Sequence, residues 1–251
     1  MVLPLRDHNP TRRRAVVTLA LLAVNIGVFV LAQPWADGAC EQQSFFTRWA
    51  AVPAEITDGE ALDRAEVAAS TTTACRIAPV PQKNVYASIV TAMFLHAGWG
   101  HLLGNMLFLW IFGNNVEDRL GRGRFLAFYL GTGIVATLAF VLPNAASLST
   151  LVGASGAIAG VLGAYLVMFP TARVTVAIVP LFFLPVRLPA VLVLGGWFFV
   201  QIFAGRVAGM AGGGVAYLAH VAGFVAGVVV VVALGGRRNG RRGAGLRRQE
   251  F

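Results

Sequence analysis

Charge is scarce in this chain. Asp, Glu, Lys and Arg make up 12% of its 251 residues, and hydrophobic residues make up 57%. A soluble domain carries roughly 25% charged residues, so the composition excludes an ordinary soluble fold and indicates a polytopic membrane protein. Histidine is rarer still, with 4 copies, and there are 2 cysteines. No His-Glu-x-x-His run occurs, which removes the usual support for a metal-dependent hydrolase. Neither a metal site nor a cofactor is expected. No Asp or Glu falls inside any apolar segment assigned below, so a buried carboxylate partner for a membrane histidine is not expected. No repeat of solenoid period is visible.

What the chain does have is long apolar runs. Six read as spans: Ala15 to Ala32, His101 to Val116, Phe125 to Leu142, Ser155 to Phe169, Leu188 to Ala204 and Val215 to Leu234. The first exceeds the roughly 7–15-residue core of a signal peptide and lacks a nearby small-x-small site, so it reads as an uncleaved helix. Val85 to Leu95 is apolar but too short to span and is expected to lie at the interface or re-enter. Val174 to Pro185, interrupted by Pro180 and Pro185, is placed at the interface. The expected fold is therefore an all-α membrane protein, a bundle of six transmembrane helices with a long first outer loop at 33–95. The domain reading is a tail at 1–14, a membrane domain at 15–235 and a basic tail at 236–251.

Six spans put both termini on one side. That side carries 15 of the 20 basic residues, including Arg12, Arg13, Arg14 and six arginines after Gly236. The excess makes it cytoplasmic. Basic clusters beside membrane helices are expected to touch anionic lipid, and this reading is preferred to nucleic-acid binding. The expected location is a bacterial plasma membrane. The outer loop holds 7 of the 11 acidic residues; its acidic part, Asp37 to Glu66, is read as solvating the loop in preference to binding a ligand. Cys40 and Cys75 both lie in this loop. A disulfide closing it is favoured in an oxidising compartment, with two unpaired thiols as the alternative.

Three polar groups fall at one depth. His101, Ser155 and His220 each precede the inner end of their spans by 15 or 16 residues. At about 1.5 Å per residue this is roughly 22–24 Å, below the outer face of a hydrocarbon core about 30 Å thick. The fourth span is also too short to cross fully. Its start must be sunk, and irregular backbone at that depth requires burial or a wet cavity. An aqueous pocket opening outward is expected. His101 and Asn105 share a helix face. Gly156, Gly160 and Gly163 line one face of the fourth span, and His220, Gly223 and Gly227 line one face of the sixth. Small residues let membrane helices approach backbone to backbone, which brings Ser155 and His220 within hydrogen-bond reach.

A serine hydroxyl needs a base to become a nucleophile, and His220 can serve. Ser155 opens a helix, so free N–H groups and the positive dipole end can meet a developing oxyanion. Asn105 and His101 can add side-chain donors. Without a buried acid, this is a Ser-His dyad, and the chemistry is nucleophilic hydrolysis within the membrane.

These motifs resemble those of the rhomboid family of intramembrane serine proteases. The matching runs are His101-Leu-Leu-Gly-Asn105, Gly153-Ala-Ser-Gly156, Ala219-His-Val-Ala-Gly-Phe-Val-Ala-Gly227 and the turn Glu117-Asp-Arg-Leu-Gly121. The resemblance implies Ser155 as nucleophile and His220 as base. It implies an oxyanion hole of His101, Asn105 and the Ser155 amide. It also implies substrates that are single-pass transmembrane proteins cut near the outer membrane face, with span five and the glycine-rich loop 205–214 as gate and cap. Two departures stand out. Ala87-Ser88 occupy the place of a Trp-Arg pair that many members carry. Ala159 stands where some members place an aromatic ring beneath the histidine. His96 is expected to support the loop by hydrogen bonds, and Asn25 to make a packing hydrogen bond between helices. The alternatives are a catalytically silent rhomboid-like binding or quality-control protein and, outside the family, a transporter. The oligomeric state is not readable.

Overall fold

The structure, a computed structural model, describes residues 2–34, 37–70, 75–178, 184–210 and 217–235. Strand β1 (Val2–Asp7) leads to helix α1 (Val16–Gly27), which continues as a π-helical turn over Val28–Ala32. The segment expected as the outer loop folds into α2 (Ala39–Trp49), α3 (Pro53–Asp58), α4 (Arg64–Ser70) and α5 (Ser88–Thr91). Then α6 (Trp99–Phe108) runs through a π-turn into α7 (Asn114–Leu120). Gly121, at φ +82°, reverses the chain into α8 (Arg122–Val141). Helix α9 (Ser155–Met168) is ended by Phe169 and Pro170. Strands β2 (Arg173–Ile178) and β3 (Leu184–Pro189) precede α10 (Ala190–Met210) and α11 (Tyr217–Ala233).

The helices form from uninterrupted Leu, Ala, Val and Phe runs, and their order follows the six apolar segments of the sequence. Their inner faces make one core, with Phe29, Phe112, Phe125, Tyr129, Leu162 and Tyr165 fully buried. Their outer faces expose Leu31, Leu103, Trp110, Leu142 and Val232. Apolar surface of this extent needs a cover. Among the described residues only Arg122–Asn144, 23 residues, is long and apolar enough to cross a membrane by itself; Val16–Ala32, Ser155–Met168, Ala190–Phe203 and Tyr217–Ala233 are apolar but shorter. Helix α9, with 14 residues, rises only about 21 Å, less than a hydrocarbon core about 30 Å thick.

Glycine sets the tightest contacts. A methyl group added to Gly223 would land on the carbonyl of Gly156, and one added to Gly227 on that of Gly160. At Gly156 it would meet the Ala136 side chain of α8 at 2.6 Å, and at Gly160 the Thr132 hydroxyl at 2.5 Å. Helices α9 and α11 therefore touch backbone to backbone, and α8 packs the small side chains of Ala136 and Thr132 onto the glycines of α9.

The all-α expectation needs one correction. The six residues Val2–Asp7, read from sequence as tail, pair antiparallel with β2, and β2 pairs antiparallel with β3. Val174 and Val176 point inward and are fully buried, so this stretch is a half-buried strand. The sheet closes the end of the bundle opposite Ser155. There the Tyr165 hydroxyl donates to Asp7 Oδ2 (2.8 Å), and Asn115 Nδ2 donates to the same oxygen (2.6 Å). Burial raises the Asp7 carboxyl above its ordinary range, against the Tyr165 hydrogen bond. Glu117 accepts from the Val17 and Thr18 amides (3.0 and 2.7 Å) and the Thr18 hydroxyl (2.8 Å). It thereby caps the N-terminus of α1 from another element.

At the other end, Cys40 and Cys75 are joined in a disulfide with Cα atoms 5.3 Å apart. Lys83 pairs with the buried Glu55 and donates to the Thr47 carbonyl at 2.9 Å. Burial pushes the Lys83 ammonium down from its usual range, and Glu55 opposes the shift. The Thr91 hydroxyl donates to the Trp49 carbonyl (2.7 Å), and Ala51 forms a two-way backbone bridge with Leu151. These contacts tie α2, α3 and α5 together and to the strand-like stretch at Leu151 before α9. Asn25 Nδ2 donates to Leu21 O of its own helix at 2.7 Å.

Candidate active site

The first residue of α9 is Ser155, and the fourth residue of α11 is His220. Their side chains meet: Ser155 Oγ lies 2.7 Å from His220 Nε2, across 65 residues of sequence. The glycine contacts just below hold the two helices at this separation. Gly156 follows the serine, and Gly223, one turn along α11 from the histidine, lies against its carbonyl.

The turn before Ser155 has its own requirement. Gly153 adopts φ +123°, in the left-handed region, and a methyl group there would lie 2.7 Å from His101 Cε1 and Nε2 and 3.6 Å from Ser155 Oγ. Glycine is needed twice: for its backbone conformation and to admit the His101 ring beside the serine. Gly153 N donates to Ala92 O at 2.9 Å, which ties the turn to the outer-loop segment.

His101, Gly153, Ser155, Gly156, Thr137 and His220 line one cavity of about 80 Å³. Such a volume holds several waters, and the polar side chains give them partners. The first residues of α9, Ser155, Gly156 and Ala157, also line this cavity, and their N–H groups lack intrahelical acceptors by helix geometry. Asn105 is buried and does not line it. Its Nδ2 donates to His96 Nε2 at 3.0 Å, and the His96 ring stands edge-on to His101 at 5.1 Å between centroids. His96 is itself fixed by Gln33, whose carboxamide bonds both the backbone N–H (3.1 Å) and the carbonyl of His96. Asn105 is thus linked to His101 only through the His96 ring, and the structure does not bring it to the cavity beside Ser155.

Two features of the histidine were not anticipated. Ala159, fully buried, leaves no ring beneath it. Trp197 of α10 and Tyr217 of α11 flank it instead, with centroids at 6.1 and 6.4 Å. Its far nitrogen is also occupied: His220 Nδ1 lies 2.7 Å from Gln201 Oε1. Sequence reasoning missed Gln201. The available signal was a single carboxamide in the otherwise apolar run from Leu188 to Ala204. Gly212, Gly213 and Gly214 of the expected cap, and the arginine-rich end of the chain, lie outside the described residues.

Residues 83–237 match the Rhomboid domain. The chain is 36% identical over 149 residues to the mitochondrial rhomboid protein 1 of Saccharomyces cerevisiae, covering 57% of this chain and 40% of that one. It is 47% identical over 79 residues to the rhomboid protease GluP of Bacillus subtilis, covering 31% and 15%. It is 50% identical over 74 residues to the chloroplastic rhomboid-like protein 11 of Arabidopsis thaliana, covering 28% and 25%. In each case the match spans less than half of the relative's length.

Proposed function

This chain belongs to the rhomboid family, a family of helical membrane proteins, and on that premise we propose that it is an intramembrane serine endopeptidase. The observation that carries the reading is the 2.7 Å approach of Ser155 Oγ to His220 Nε2 beside a polar cavity. Similarity to proteins named as rhomboid proteases supports it.

The chemistry follows from the geometry. His220 Nε2 takes the Ser155 proton as Oγ attacks the peptide carbonyl carbon. The C=O pair moves onto oxygen, and that oxyanion is met by the Ser155 N–H and by His101; Asn105, expected as a third donor, is turned to His96. Collapse breaks the C–N bond, and Nε2–H delivers its proton to the leaving amine. A cavity water, deprotonated by Nε2, then hydrolyses the acyl-serine and restores the hydroxyl.

The substrates would be single-pass transmembrane proteins, cut near the outer membrane face because the serine sits at the outer end of α9. In this reading six helical segments cross the membrane, the termini are cytoplasmic, and residues 15–235 form the membrane domain between a 1–14 segment and a basic 236–251 tail. The excess of basic residues on the terminal side supports that orientation. The proposed membrane is a bacterial plasma membrane.

The test is turnover of a single-pass substrate by purified protein in detergent. Cleavage by the wild type and none by Ser155→Ala is expected. No cleavage by either, with substrate still bound, would point to a silent binding protein and overturn the proposal.

A further inference from the structure

A histidine that accepts the serine proton at Nε2 must carry its own ring proton on Nδ1. Soluble hydrolases hold that proton with a carboxylate, and the helices of this chain offer none at that depth. Gln201 stands there instead. A carboxamide oxygen accepts and cannot donate. At 2.7 Å from Gln201 Oε1, His220 Nδ1 is therefore the donor, and the Nε2 lone pair is left facing Ser155 Oγ, also at 2.7 Å. Gln201 is set for this by its own helix. Trp197 lies one turn earlier on the same face of α10. It packs against His220 at 6.1 Å and against Phe224 at 6.2 Å, so that face is held against α11.

We propose that Gln201 is the positioning residue of this site. It fixes the Nδ1–H tautomer and the ring plane of His220 with a neutral acceptor, so that no carboxylate has to be ionised within the membrane. The proposal rests on the reading of Ser155 and His220 as nucleophile and base. It adds that the base is oriented from α10, a different helix from its own. The choice of an amide has a physical reason. An unpaired charge at this depth is costly, whereas a neutral carboxamide oxygen is satisfied by the ring N–H it accepts. An amide stabilises the imidazolium less than a carboxylate would, so its main contribution is tautomer and geometry.

The experiment uses the full chain in detergent micelles. It combines ¹⁵N-histidine spectra, with His220 assigned by its substitution, and kinetics on a single-pass substrate. Wild type should show His220 protonated at Nδ1. Gln201→Leu, nearly the same size without an acceptor, should show a mixture of tautomers. Its kcat should fall about 10²-fold with KM unchanged and melting temperature retained. Gln201→Glu, which restores an acceptor, should recover the Nδ1–H tautomer and most of the lost rate. If leucine lowers the melting temperature, Gln201→Met replaces it. The proposal is overturned if the apolar variant keeps both the tautomer and kcat, or if it raises KM alone with an unchanged spectrum, since either result assigns Gln201 to packing. Failure of the wild type to turn over more than Ser155→Ala would remove the protease reading, and the spectra would still decide whether Gln201 holds His220.

Discussion

Gly223 rests against the carbonyl oxygen of Gly156, one residue past Ser155 and one helical turn from His220. The separation of serine and histidine is thus set by two backbones in contact. Gly223→Ala places a methyl group into that carbonyl, an obstruction that no rotamer can relieve. Helix α11 must shift, and overpacking of this kind costs about 1–3 kcal/mol. Substrate cleavage should drop at least about tenfold, because the displacement falls on a hydrogen bond whose geometry the chemistry needs. A melting curve and a cleavage assay on this variant check both effects. Gly195→Ala serves as the control, since nothing lies within 4 Å of a methyl group there.

The sheet end of the bundle should respond to acid. Asp7, buried beneath Tyr165 and Asn115, has its carboxyl raised mainly by burial. A folded-state value above the unfolded one gives a stabilising term that is complete below the unfolded range and is lost as pH rises through the folded value. Wild type should therefore gain stability relative to Asp7→Asn as pH falls from 7 toward 4, measured as the difference between their melting temperatures. Asp7→Ala should be worse than Asp7→Asn at every pH, by about 1–3 kcal/mol, because it strands the buried hydrogen-bond partners. A difference between wild type and Asp7→Asn that is flat with pH would remove the burial argument.

Much of the site was legible because each signal was local. Polar residues in apolar runs are conspicuous, and helix spacing puts His101 with Asn105, and His220 with Gly223, on single faces. The same rule applied evenly would have found Gln201, a lone carboxamide in its span. A catalytic histidine is usually oriented by a carboxylate, so a neutral amide gives no such signal by residue type. The rings at Trp197 and Tyr217 were illegible for another reason: they replace one missing at Ala159, and only packing shows where a substitute comes from. The sheet was hidden by distance. Arg173, Val174, Thr175 and Val176 alternate in the period of a strand, but the β1 partner lies about 170 residues away and contains Pro4. The nearby Pro180 and Pro185 favoured an irregular reading. Beyond its two cysteines the 33–95 loop offered only polarity, so its short helices and the Glu55–Lys83 pair could not be anticipated from pattern.

The Cys40–Cys75 bond closes a loop of 35 residues, and a cross-link of that span stabilises by about 4 kcal/mol in the chain-entropy account. Neither cysteine lines the cavity that holds Ser155. Cys40→Ser should therefore speed proteolytic nicking of the segment between α2 and residue 75 while leaving cleavage activity within about twofold. Limited proteolysis alongside the substrate assay reads both. Equal nicking rates in wild type and variant would show that the bond does not restrain the loop.

The most direct measurement is covalent labelling of the intact protein with a fluorophosphonate, located by peptide mass spectrometry. An activated serine reacts, and an ordinary one does not. One adduct per chain, on Ser155, lost in His220→Ala and slowed in His101→Ala, is the result expected from the 2.7 Å contact. Equal labelling of wild type and His220→Ala, or an unlabelled Ser155 in protein that is otherwise folded, would contradict the assignment of His220 as its base.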